Sequence, residues 1–345
     1  MRKIIKIVII LFIFVNFLYA VSGAIHYPLQ SIDVYAYWFL KAKSFYVNGI
    51  LPLTNLNAYP YSHPQHPILL PVVVNFIYHI IGGVREIPVF LIYPFIYIAI
   101  LFSAYKFFRK LGVNETVSLI VTYIYSMFSP LLAMAGRKHA GEADIFITLI
   151  NWGVVHLVFN YLKDKKIKWL IATSVLIMVA SQIKTEGVIT AVIFLFIPIA
   201  RSRKAILLSI SMLPAIIWNL IVIKAPLVRD FGWMLPSVLS IVKRIGEVFY
   251  YTLVEMANVR NWYIFWPIFW MSFLIGQRKN QLILKVATNT VLAISAFYLV
   301  NFVFSTFTPL EYVPGAMDRI LIQFSPFILG SFALKLEVYL AKWDI

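Results

Sequence analysis

The chain contains no cysteine. That excludes disulfides, thiolate metal centres and a cysteine nucleophile together. Charge is scarce as well. Asp, Glu, Lys and Arg make up 13% of the residues, whereas an average soluble domain carries about 25%. Acids are the scarcest, 14 against 30 Lys and Arg. No glycine-rich phosphate cradle and no nucleophile elbow occurs, which argues against ATP-driven transport and serine hydrolysis. The 345 residues also give no sign of an internal repeat, a low-complexity tail or a separate soluble domain.

What fills the chain is apolar: 61% of residues are hydrophobic. Several runs approach the ~20 residues that a membrane-spanning helix needs. A soluble fold would expose too much of this surface, so the sequence reads as an all-α, polytopic membrane protein forming a single membrane-embedded domain over 1–345. The expected spans are 4–24, 88–105, 115–134, 144–162, 167–183, 187–200, 205–224, 261–276, 282–304 and 320–336, ten in all with both termini inside. The N-terminal run after Arg2, Lys3 and Lys6 also has the form of a cleavable signal peptide, but a retained anchor fits the charge placement. With this topology the inner pieces hold 18 of the 30 basic residues and only four acids. That is a strong positive-inside bias. It accounts for the net charge of +16 without nucleic acid, and Arg201, Arg203 and Lys204 read as a topology anchor near anionic lipid.

The stretch 25–87 follows the first span and is expected to be an outer loop that hugs the membrane. Within it, 31–49 reads as a surface helix, with Ser31 as N-cap and Gly49 as stop. Its aromatic residues and Lys41 and Lys43 suit the headgroup layer. Asp33, the first acid of the chain, falls in the first turn, where the helix dipole favours the ionised form. The run 67–83 is expected to lie flat as a second surface helix, with Asn75 and His79 on one face. His63 and His66 have zinc-like spacing, but Pro64 and Pro67 oppose a helical metal pair.

Three further places gather polar residues on the outer side. The loop 135–144 holds Arg137, Lys138, His139, Glu142 and Asp144. Its two acids, with Asp33, could hold a hard divalent ion such as Mg or Mn, or could pair with the loop's own bases. Segments 167–183 and 187–200 are short, so their joint Lys184-Thr185-Glu186 should sit roughly 5–9 Å below the surface. Charged groups at that depth normally face a protein cavity. In the second long outer loop, 225–260, an amphipathic helix is expected over 236–257, as a surface helix or a lid. Asp318-Arg319 stands at the mouth of the last span.

The order of these features resembles the GT-C superfamily of membrane glycosyltransferases, protein O-mannosyltransferases and lipid A aminoarabinose transferases above all. The resemblance rests on Asp33-Val34-Tyr35-Ala36-Tyr37-Trp38, Asn48-Gly49, His66-Pro67-Ile68, Ala143-Asp144-Ile145-Phe146, Lys184-Thr185-Glu186-Gly187, and Arg319 followed by apolar residues to Pro326. It covers most of the chain. Two departures stand out: Val34 follows Asp33 where a second acid is frequent, and Gln65-His66 precedes the proline where an acid-lysine pair is frequent. The pair Glu142 and Asp144 looks more like the metal-binding acids of oligosaccharyltransferases. The resemblance implies transfer of a sugar from a polyprenyl-phosphate donor to a hydroxyl of a glycan, lipid or protein acceptor, outside the cytoplasm and with inversion. It implies Asp33 as base, and Lys184, Arg319, His66, Arg137 and Lys138 as candidates for the donor phosphate. Glu142, Asp144, Gln65 and Glu186 would position the acceptor or a metal, the metal set being Asp33, Glu142 and Asp144. Membrane lipids are the other expected partners. A transporter or lipid-sugar flippase, or a non-catalytic subunit of an envelope glycan assembly complex, remains the alternative.

Overall fold

The computed structural model describes residues 2–26, 31–49, 66–224, 234–272 and 281–341. Among these no strand forms, and the chain is helical almost throughout. In chain order, α1 is Arg2–His26. A π-helical stretch Val34–Phe39 continues into α2, Leu40–Asn48. There follow α3 Leu69–Ile81, α4 Glu86–Phe90, α5 Ile92–Lys110, α6 Glu115–Ser126, α7 Ser129–Gly136, α8 Asp144–Asp164 and α9 Lys168–Ile183. A 3-10 stretch Thr185–Val192 leads to α10, Ile193–Phe196, and α11, Arg201–Lys224. The chain ends with α12 Val238–Met256, α13 Val259–Trp262, α14 Phe265–Ser272, α15 Gln281–Phe304 and α16 Pro309–Ala341.

Six helical stretches among the described residues are long and apolar enough to cross a membrane, and seven if the pair α6 and α7, bent by 66°, counts as one. This is the make-up of a membrane protein. The other expected spans are shorter. Helix α9 has 16 residues, or about 24 Å at 1.5 Å per residue. The region 187–200 is a 3-10 turn followed by a four-residue helix. Only part of 261–276 is described, as α13 and α14.

The chain divides into two compact units. The first comprises Met1–Phe14, Leu101–Leu131 and Phe231–Ile345. Here α12, α14 and α15 pack on α16, and α6 joins them. Lys6 is ion-paired with Glu115. Asn114 caps α6 by accepting from the Val117 amide, and the amide of Asn114 in turn donates to Glu337. Phe128, Trp262, Phe265 and Phe332 form an aromatic core, with ring centroids 5.0–5.3 Å apart. The expected amphipathic helix 236–257 is present as α12. Arg244 fastens it to the end of α15, donating to the carbonyls of Val303, Ser305 and Phe307 at 2.8, 2.7 and 3.1 Å. Such a cation suits the negative end of a helix. At its far end Glu255 accepts from the side chains of Asn261 and Trp262 at 2.7 and 2.8 Å. The helix is thus tied to its own unit at both ends, and residues 225–233 lie outside the described residues.

The second unit comprises Val15–Ile100 and Leu132–Asp230. Helix α9 packs between α8 and α11, and α2 packs on α3. Helices α1 and α7 cross at their backbones: a Cβ on Gly23 would lie 2.0 Å from the carbonyl oxygen of Gly136. The core joins Val34, Trp38 and Phe39 to Leu70, Val74 and Tyr78, and to Phe90, Ala140, Ala143 and Ile147. Two expectations for the loop 25–87 are corrected here. Lys41 is not a headgroup lysine: it is fully buried, and its Nζ donates to the carbonyl of His66 at 3.3 Å. Asn75 and His79 do not share an environment either. The 40° between positions i and i+4 puts Asn75 inside, while His79 is exposed beside the Tyr46 ring at 4.8 Å.

Candidate functional site

Most of the described polar residues of interest lie in the second unit, among them Asp33 at the head of its helix. Ile32 and Asp33 begin it, and the π-helical stretch follows at once. Asp33 is half-buried and makes no capping bond with its side chain. A π-turn holds more residues than an α-turn, so successive side chains diverge less. Tyr37 and Trp38, adjacent in sequence, consequently both reach the imidazole of His66, with ring centroids at 6.4 and 5.7 Å. Val34 is packed against the loop before α8. Gly141 has φ +99°, and a Cβ there would come 2.4 Å from a Val34 methyl and 2.9 Å from Phe90. That contact explains why an apolar residue stands at 34. A second acid would be buried against a glycine and a phenyl ring, at a cost no bond repays.

The loop that carries Gly141 turns back on itself. The His139 amide donates to Ala133, and the Glu142 amide to His139. This brings Glu142, 1% exposed, under the start of the Asp33 helix. One oxygen, Oε1, accepts from the Ser31 hydroxyl at 2.6 Å and lies 2.7 Å from Nδ1 of His139. Ser31 was expected to cap its own helix. Its hydroxyl instead ties that helix to Glu142, because a buried carboxylate needs a donor more than a partly solvated helix end does.

Two residues on, Asp144 opens α8 and turns the other way. Its Oδ1 accepts from Nζ of Lys184 at 3.0 Å, and Nζ stands 3.9 Å from Oε1 of Glu186. Lys184 terminates α9 in extended conformation, and the 3-10 stretch returns against that helix. A Cβ on Gly187 would fall 2.4 Å from the Ala180 carbonyl, so only glycine permits the reversal. The return is held from behind by Thr190, whose hydroxyl donates to Asn151 at 2.9 Å. Near Lys184 in sequence, two buried polar atoms have no hydrogen-bond partner among the described residues: Oε2 of Glu186 and Nε2 of Gln182. The buried phenols of Tyr78 and Tyr93 are a second such pair. Burial, with the charge of Glu86 adding to it, pushes the Tyr78 phenol well above its ordinary value.

The candidates therefore fall into groups. Ser31, His139 and Glu142 are bonded together; Asp144 and Lys184 are bonded, with Glu186 at 3.9 Å from the same Nζ. His66 belongs to the aromatic face of the Asp33 helix. Arg137 stacks on Tyr19, 4.6 Å from the ring centroid, and Lys138 is exposed. Arg319 is in the first unit, where its guanidinium donates to the Gly315 carbonyl at 2.9 Å. Gln65 lies outside the described residues. Asp33, Glu142 and Asp144 are not gathered as a metal group. No three His, Asp or Glu side chains converge among the described residues, and Glu142 and Asp144 each give an oxygen to a different protein donor. Sequence reasoning missed Gln182, Tyr78 and Tyr93, whose residue types alone carry no signal. It read Ser31 as a cap and His139 only as part of a charged loop; the i, i+3 spacing of His139 and Glu142 was the available clue.

No protein-family model matches the chain, and no curated protein and no solved structure is significantly similar to it.

Proposed function

We propose that the chain is a membrane glycosyltransferase of the GT-C kind that moves a sugar from a polyprenyl-phosphate donor to an acceptor hydroxyl outside the cytoplasm. The observation that carries this reading is a pair of contacts, two residues apart on one short loop, that draw three separate motifs together. Ser31, two residues before Asp33, donates to Glu142 at 2.6 Å, and Asp144, two residues after Glu142, accepts from Lys184 at 3.0 Å. A base, a pair of acids and a lysine far apart in sequence thus share one framework in a chain built to span a membrane. In this reading the short segments 167–183, 187–200 and 261–276 and the bent α6–α7 pair join the six long helices in a topology of ten membrane passages with both termini inside, and α3 lies along the outer surface.

The chemistry follows from charge development. The acceptor oxygen attacks the anomeric carbon as its proton passes to the Asp33 carboxylate. The bond from that carbon to the phosphate oxygen breaks, and its electron pair leaves with the lipid phosphate. Lys184, held by Asp144, meets that growing negative charge. Displacement in line inverts the carbon. Glu186 and Gln182, flanking Lys184, carry an acceptor and a donor that have no partner among the described residues and that sugar hydroxyls would satisfy. With Glu142 and Asp144 engaged by His139, Ser31 and Lys184, the residues do not fit a divalent-ion site, and no step is routed through one.

The test uses the purified protein in vesicles with radiolabelled polyprenyl-phosphate sugars and an extract of acceptors. Asp33→Asn is expected to abolish transfer while donor binding persists, and EDTA is expected to leave wild-type turnover unchanged. Full activity in Asp33→Asn would remove Asp33 from the mechanism. Absence of donor binding to the wild-type protein would sink the proposal as a whole.

A further inference from the structure

Helix α12 is amphipathic in an unusual sense. Leu239, Val242, Phe249 and Leu253, at i, i+3, i+10 and i+14, fall on one side of the helix and form an apolar stripe. That stripe faces away from the protein: Leu239 is 81% exposed, and the other three are more than half exposed. Leu235, just ahead of the helix, extends it at 94%. The side turned to the protein carries the polar anchors instead. Arg244 and Val248 are buried, Arg244 holds three carbonyls at the end of α15, and Glu255 holds Asn261 and Trp262.

A helix lying on a protein in water buries its stripe and exposes its charges. Here the stripe is outermost. The exposed half is itself divided, because Lys243 and Glu247, paired at 3.7 Å, stand at one edge of it. The same unit carries other outward-facing apolar surface. Helix α12 packs along α15 and α16, both long and apolar enough to cross a membrane, and α15 exposes Leu292 and Phe297 outward. We infer that α12 lies in the membrane interface, its stripe among the acyl chains of one leaflet and the Lys243–Glu247 edge at the headgroups. The occupant of this face is lipid. The protein behind the helix fixes its rotation through Arg244, so the helix is a permanent bilayer contact and not a water-exposed lid.

The absence of cysteine makes the test clean. Single cysteines are placed at Leu239, Val242, Phe249 and Leu253, and separately at Lys243 and Glu247, all positions without a packing role. Each is spin-labelled in the full-length protein and reconstituted in phosphatidylcholine–phosphatidylglycerol vesicles. Collision rates with oxygen, which concentrates in lipid, and with a water-soluble nickel chelate are then compared. At the four stripe positions oxygen collisions should exceed nickel collisions several-fold, and at Lys243 and Glu247 the ratio should reverse. High nickel access along the stripe would establish a water-exposed helix and overturn the inference. Low access to both reagents would show a protein covering the face and overturn it equally.

Discussion

The buried pair of Asp144 and Lys184 offers the sharpest test of the site's construction. Their 3.0 Å contact corresponds to a gross attraction of about 5 kcal/mol at an effective dielectric of about 20. Desolvation offsets much of it, and the two partners are unequally placed. The Asp144 side chain is 3% exposed and that of Lys184 18%. In Lys184→Met the carboxylate cannot rehydrate without unpacking the start of α8, so the loss should approach the ~3–5 kcal/mol typical of a broken buried pair. In Asp144→Asn the ammonium keeps some water and retains Glu186 at 3.9 Å, and a loss of about 1–2 kcal/mol is expected. The double variant leaves only Glu186, 27% exposed, without its cation and should lie near Asp144→Asn, giving a coupling energy of about 2 kcal/mol or more. Denaturation in detergent micelles, followed by tryptophan fluorescence, measures all four corners. Sugar transfer measured on the same proteins should be absent in both variants lacking Lys184, including the double variant that regains stability. Additive losses, or two equal and small ones, would refute the reasoning, since they would mean a solvated pair with no structural hold on the turn.

Three further outcomes follow from particular contacts. Gly187→Ala puts a Cβ 2.4 Å from the Ala180 carbonyl; overpacking against backbone should destabilise by about 1–3 kcal/mol and weaken donor binding measured in the same micelles. Arg244→Met strands three carbonyls at the end of α15, with an expected loss of about 1–3 kcal/mol and faster tryptic cleavage at Lys243 in limited proteolysis. Tyr78→Phe removes a buried hydroxyl that has no partner among the described residues and should leave the protein equally stable or up to about 1 kcal/mol more so. Because the Tyr78 phenol is raised above its ordinary value of 10.0, its contribution is fully present below about pH 10 and lost progressively above it. The variant's stability curve, measured by denaturation from pH 8 to 11, should therefore fall less steeply.

The helical class and the main apolar helices were legible because composition and periodicity report burial against lipid directly. The termini of α8, α12 and α15 lie within a few residues of their expected positions. What could not be read was the direction of side chains. Lys41 and Lys43 look alike in sequence, yet one is fully buried and the other pairs with Glu86 at 2.6 Å. Only the packing of α2 on α3 decides which is which. The π-turn after Asp33 shifts the facing of every residue behind it, and no residue type announces such a turn. Ser31 has the sequence signature of a cap, but a buried carboxylate from a loop more than a hundred residues away competes for its hydroxyl. Helix α12 shows the same limit: its period was evident, but the period does not say which face meets the protein. The short α9 and the Lys-Thr-Glu-Gly turn were visible as a length shortfall. The reason for glycine at 187, a carbonyl 2.4 Å away, is a tertiary fact.

The arrangement of Glu142 and Asp144 bears on how labour is divided among the acids. Two carboxylates at positions i and i+2 entering a helix point roughly 200° apart, so they serve one metal only if the loop bends both inward. Here each has its own base, His139 for the first and Lys184 for the second. Acids engaged in this way, at 1% and 2% exposure, are holders: they set the position of the Asp33 helix through Ser31 and of the α9 turn through Lys184. A general base must meet an acceptor from outside the protein, and neither holder can do so without unpacking. Asp33 is half-buried, at the head of a helix whose register Glu142 fixes and whose next residue is locked against Gly141. Under the proposed reaction the proton therefore goes to Asp33, and substitutions of Glu142 should change how well the base is placed without replacing it. Glu142→Gln, which keeps an acceptor for Ser31, should slow transfer less than Glu142→Ala, with Asp33→Asn remaining the lower limit in the same assay.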